Sequence, residues 1–171
     1  MNVFILGGMS PRHYEWVRQL AEALQPHFDE IRLLDYRHWE QQGAEMDLEY
    51  EITQAAALAK DFGEYLVVAK SIGTVLATLA TARGLLAPQR CVFMGFPLKV
   101  VTADLSEVAN ALLQLPPTTF LHNEHDPLGS AEAVKTYVGA HAPAIYDFQT
   151  LPGDTHDYID FDLIARVATS Q

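Results

Sequence analysis

Six times along the chain a short run of β-branched and aromatic residues gives way to a longer stretch whose apolar residues recur at helical spacing. That alternation leaves few architectures open. It predicts βαβ units and an α/β, doubly wound, mostly parallel six-stranded sheet with helices on both faces. The expected strands are residues 2–6, 30–35, 65–70, 90–96, 118–122 and 144–149, each apolar enough to be covered on both sides. The first helix should open with Ser10 as N-cap and Pro11 at its first position. Val17, Leu20, Ala21 and Leu24 then form one apolar face before Pro26 stops it. Further helices are predicted over 48–62, 72–83, 104–113, 130–137 and 158–169. Without a linker, repeat or low-complexity tract, residues 1–171 read as one domain, and the one long connection runs over about 37–47.

Composition narrows the function classes. With 171 residues, 49% of them apolar, the chain can bury a core that needs no disulfide or metal. Eleven Lys plus Arg stand against 22 Asp plus Glu, a formal charge of -11, and no basic cluster interrupts the deficit. Nucleic acid and anionic membranes are therefore not expected partners. The opening apolar run is too short for a signal peptide or a membrane span and lacks a basic flank. A single cysteine, Cys91, rules out a disulfide framework within the chain and suits a reducing cytoplasm.

The third expected strand ends in Val67-Val68-Ala69-Lys70-Ser71-Ile72-Gly73-Thr74, and a helix follows at once. A serine on such a strand-to-helix elbow takes a strained backbone conformation that lifts its hydroxyl above the sheet. The residues two before and two after must be small, as Ala69 and Gly73 are. The bland alternative is a serine that only caps the helix. A nucleophilic serine needs a base from the carboxyl ends of the strands, where α/β sheets gather their functional groups. His141 precedes a strand, and His13 and His27 belong to the first helix and its end, whereas His156 follows the last strand and is the only histidine late in the chain on the correct edge. The acid that orients an imidazole should leave a neighbouring strand. Asp126, ahead of Pro127, fits, with Glu124 as its competitor. For the oxyanion, the Ile72 amide follows the nucleophile, and Gly7-Gly8-Met9-Ser10 after the first strand can present the Met9 amide. The same glycine turn, with Asp35 at the next strand end, is also compatible with a nucleotide-binding loop. It lacks the later glycines of a dinucleotide fingerprint, however, and Pro11 removes a donor.

Taken together, Gly7-Gly8-Met9-Ser10, Ala69-Lys70-Ser71-Ile72-Gly73, the Glu124-His125-Asp126-Pro127 turn and Gly153-Asp154-Thr155-His156 resemble the α/β-hydrolase family. The resemblance implies a serine hydrolase with Ser71 as nucleophile, His156 as base, Asp126 as acid and the Met9 and Ile72 amides as oxyanion hole. It also implies the strand order 2-1-3-4-5-6. The sequence departs from the family in having Ala69 for the first glycine of the elbow and Gly7 where many members have His. The family's first antiparallel strands have no counterpart, and no room exists for a cap domain after the fourth strand.

A lidless site must build its substrate pocket from strand-end loops, here Gly8, Met9, His38, Trp39, Phe96 and Leu98. A small, shallow pocket suits short acyl esters or thioesters, with no cofactor and no metal. Lys70 is expected to face solvent. The competing functional class is a catalytically idle interaction module on the same fold, and acyl transfer or amide hydrolysis stays open as alternative chemistry.

Overall fold

Strands β1 (Asn2–Leu6), β2 (Ile31–Leu34), β3 (Tyr65–Lys70), β4 (Arg90–Met94), β5 (Thr118–Asn123) and β6 (Tyr146–Leu151) form one sheet. Every pairing is parallel, and the order is β2-β1-β3-β4-β5-β6. The computed structural model describes residues 1–41, 44–142 and 146–170. Register brings Leu6 opposite Ala69 and Lys70 opposite Met94, so the carboxyl ends of β1, β3 and β4 lie side by side. Loops leaving those ends share one edge of the sheet, and the candidate residues converge there.

The helices are α1 (His13–Leu24), α2 (Leu48–Ala59), α3 (Ile72–Ala82), α4 (Leu98–Asp104), α5 (Val108–Ala111), α6 (Ala131–His141) and α7 (Phe161–Thr169). Helices α1 and α7 pack together on one face, while α3 contacts α2 and α5 on the other. Residues Ile72 to Ala80 of α3 are all buried, which its apolar sequence permits. Two of its three threonines bond back into the helix, Thr74 Oγ1 to Ser71 O and Thr78 Oγ1 to Thr74 O, both at 2.7 Å. Among the described residues no helix is long and apolar enough to cross a membrane.

Several expected boundaries move for identifiable reasons. Helix α1 begins at His13, because residues 10–12 form a turn in which the Ser10 and Pro11 carbonyls accept the His13 and Tyr14 amides. Ser10 is thus not its cap. Strand β4 stops at Met94, since Gly95 turns the chain at a φ of +58°. A helix already starts at Leu98 behind Pro97, whose fixed φ favours a helix start, and the segment expected as one helix over 104–113 is broken at Leu105. Strand β6 starts at Tyr146 and runs on to Leu151; of its expected residues, 144 and 145 lie outside the described ones. As sheet edges, β2 and β6 are only partly covered, whereas β3 is buried throughout.

Candidate active site

Ser71 sits at φ 53° and ψ -124°, one of two described non-glycine residues with positive φ, and α3 begins at the next residue. Its amide donates to Met94 O at 2.9 Å, which fastens the turn to the neighbouring strand. The sharp turn depends on Gly73: a Cβ there would lie 2.6 Å from both Leu6 O and Gly7 O. The elbow is therefore pressed against the end of β1, where the Gly7-Gly8-Met9 loop begins. The Ser71 side is nearly closed over, at 7% exposure.

His156 and Asp126 meet in a 2.7 Å hydrogen bond from Nδ1 to Oδ2, closing a loop of thirty residues. Asp126 is 3% exposed, and its second oxygen accepts the Leu128 amide at 2.8 Å. Burial alone would raise this carboxyl. Hydrogen bonds from His156, the Leu128 amide and Tyr158 outweigh that and hold it below its ordinary value, so it stays ionised. Nε2, the ring nitrogen turned away from Asp126, is buried and has no partner among the described residues. No Ser71–His156 hydrogen bond is formed. Gly95 is the link between them: a Cβ on it would be 2.9 Å from His156 Cε1, and the carbonyl of the preceding residue, Met94, accepts the Ser71 amide. Glu124, the competing acid, is exposed and lies 3.9 Å from His125.

Three side chains hold the loop after β1 by its carbonyls. Tyr36 donates to Gly7 O at 2.9 Å, His38 Nε2 to Met9 O at 2.6 Å and His13 Nδ1 to Ser10 O at 3.1 Å. With its neighbouring peptides fixed, the Met9 amide has a defined direction. Among the described residues no hydrogen bond engages it or the Ile72 amide. His13 also packs on Gly8, where a Cβ would sit 2.5 Å from its Cε1.

Lys70 does not face solvent. It is 3% exposed, its Nζ 2.6 Å from His13 Nε2 and 5.6 Å from the centre of the Trp16 ring. Burial lowers the ammonium to about 8, against the opposing pull of Asp157 and Asp126. Burial and then Lys70 lower His13 to about 4, so at neutral pH it is an uncharged ring that accepts from Lys70 and donates to Ser10.

No family model and no curated protein matches the sequence. Solved structures do. The thioesterase domain from the curacin biosynthetic pathway matches with a TM-score of 0.76 at 10% identity, over 99% of this chain and 91% of that one. The esterase domain of a Rhodothermus marinus protein gives 0.66 at 13%, over 98% and 83%. Alpha/beta hydrolase domain-containing protein 10 from mouse gives 0.74 at 12%, over 97% and 87%. The chain has the α/β-hydrolase fold.

Within that α/β-hydrolase fold the expected pocket residues separate into two groups. Met9, 47% exposed, and His38 line an open cleft with Pro11, Ala44 and Met46, of about 580 Å³. Trp39 does not line it. Its ring is buried against Gly7, where a Cβ would be 3.0 Å away. Phe96 is a core residue, completely buried, edge-on to Phe120 and tilted against Tyr137, and Leu98 packs on Gly129. Gly8 lies under His13 and is closed to ligand. Asp35, the residue a nucleotide site would use, is bound in two hydrogen bonds by Arg18. Sequence reasoning missed Asn123, whose Nδ2 donates to Thr155 O and Asp157 O on either side of His156. It also missed Tyr158, which donates to Asp126. Only their nearness in the chain to Asp126 and His156 hinted at either.

Proposed function

We propose that the protein is a serine hydrolase cleaving small carboxylic esters or thioesters through an acyl-enzyme on Ser71. The observation that carries this reading is the Asp126–His156 pair, with Nε2 unpartnered, at the sheet edge where the strained serine stands. As Ser71 Oγ attacks the carbonyl carbon, its proton passes to His156 Nε2, and Asp126 stabilises the imidazolium. The carbonyl oxygen becomes an oxyanion held by the Met9 and Ile72 amides. Collapse breaks the bond to the leaving alcohol or thiol, which takes the proton from Nε2. Water, deprotonated by the same nitrogen, then attacks the acyl-serine; the bond to Ser71 Oγ breaks, Nε2 returns the proton to Oγ, and the carboxylic acid is released. No metal or cofactor is needed for these steps.

The cleft beside Met9 supports the substrate class. A group bound with its carbonyl oxygen at the Met9 amide has Met9, Pro11, Ala44 and Met46 next to it, with Gln41 and Glu45 lining the same cleft. The names of two neighbours in fold, a thioesterase domain and an esterase domain, point to the same chemistry. The acidic surface and the lone buried Cys91 fit action on free small molecules in the cytoplasm, away from nucleic acid and membranes. Turnover of soluble aryl esters and thioesters of increasing acyl length tests the reading. We expect saturable kinetics and a kcat/KM that falls once the chain outgrows the cleft. A rate that keeps rising into long chains contradicts it.

A further inference from the structure

We propose that Tyr158 is a positioning residue: by donating its hydroxyl to the same Asp126 oxygen that binds His156, it fixes the acid and weakens the grip of His156 on a proton. The inference rests on the reading of Ser71, Asp126 and His156 as a triad. Oδ2 of Asp126 receives Tyr158 Oη at 2.8 Å and His156 Nδ1 at 2.7 Å, while Oδ1 is taken by the Leu128 amide. Tyr158 has no freedom to turn elsewhere. Its Oη accepts the Asn123 amide at 3.0 Å, its backbone carbonyl accepts Trp16 Nε1 at 2.6 Å, and its ring is pressed on Gly95. The hydroxyl proton thus points at Asp126 by elimination.

Two donors on one carboxylate oxygen share its negative charge, so each is bound less strongly than it would be alone. The imidazolium therefore gains less from Asp126 than an unshared partner would give. Burial raises the phenol well above its ordinary range, so Tyr158 remains a donor at every working pH. The other charged and titratable groups around the pair are His122 on β5, Lys70 on β3, Arg12 and His13 at the start of α1, and Asp157 on the loop itself. None of them hydrogen-bonds Asp126 among the described residues.

Tyr158→Phe removes the hydroxyl and leaves the ring on Gly95. Proton NMR titration of the His156 Cε1–H, assigned by its loss in His156→Ala, reads the effect without any substrate. We expect the midpoint to rise by about 0.5–1 pH unit, a three- to tenfold gain in proton affinity, with the acid limb of kcat/KM moving alongside. A merely structural role would lower the melting temperature and leave the midpoint in place. The same substitution in Asp126→Asn should leave the midpoint unmoved. A midpoint unchanged or lowered in the single variant, or still shifted in the Asp126→Asn background, overturns the proposal. If Tyr158→Phe does not fold, 3-fluorotyrosine at 158 keeps both hydrogen bonds and strengthens the donor. The midpoint must then fall, and a rise or no change is contradictory. Fluorophosphonate labelling of Ser71 in the unaltered protein separates the two readings. Its absence removes the hydrolase, while the titration still decides whether Tyr158 acts on His156 through Asp126.

Discussion

His13 and His156 stand at the same edge of the sheet, one after β1 and one after β6, and in both Nδ1 meets an oxygen. Their environments make them different reagents. For His156 the acceptor is an ionised carboxylate and Nε2 has no partner among the described residues, so a proton arriving at Nε2 is stabilised. For His13 the acceptor is a neutral carbonyl, and Nε2 already faces the Lys70 ammonium, so a proton there meets a like charge and a buried setting. An imidazole in a cleft becomes a base through the charge of its Nδ1 partner and the vacancy at Nε2.

That contrast is broken most directly by alanine at each histidine. His156→Ala should lower kcat/KM by on the order of 10⁴-fold, as should Ser71→Ala, because the members of a triad act as a unit. His13→Ala should cost less than about tenfold, through the loop it steadies. Equal losses at both positions would abolish the distinction. Next in size is the carboxylate: Asp126→Asn is expected to cost about 10³–10⁴-fold, since it leaves the imidazole in the wrong tautomer, and Glu124→Gln is expected to leave steady-state rates unchanged. Met9→Pro removes one proposed oxyanion donor and should lower kcat by about 10²–10³-fold in a protein that circular dichroism and melting show to be folded. A folded variant with full activity would move the oxyanion hole elsewhere.

The smallest effect concerns stability. His13 is lowered from 6.5 to about 4 in the folded protein, so between those values the unfolded chain binds a proton that the folded chain does not. Stability should therefore rise with pH across that window, with His13 contributing roughly 3 kcal/mol to the rise. Thermal melts from pH 4 to 7 should show this slope in the unaltered protein and a shallower one in His13→Ala. Parallel curves would mean that His13 is not held neutral.

The sheet and the elbow were legible in the sequence because their signals are local. Strand–helix alternation, the small residues flanking Ser71 and the order of serine, acid and histidine can all be read without knowing any contact. Lys70 is expected in solvent, as a lysine ordinarily is, and is instead buried against His13 because that contact spans 57 residues and leaves no local signal. Phe96 was placed in the pocket because a strand end reads the same whether the next side chain turns toward the cleft or into the core. Here Gly95 reverses the chain and Phe96 turns inward. The roles of Asn123 and Tyr158 depend on how the loops after β5 and β6 fold over one another, which side-chain chemistry alone does not specify.

On the proposed reading, Ser71 is a nucleophile activated by His156 and not by His13. The most direct test is the rate at which a fluorophosphonate probe modifies the protein, with the site read by mass spectrometry, in the unaltered chain, His156→Ala and His13→Ala. The account predicts a single adduct on Ser71, formed at similar rates in the unaltered protein and His13→Ala and lost or greatly slowed in His156→Ala. An adduct on another residue, or labelling of Ser71 that survives His156→Ala undiminished, would contradict it.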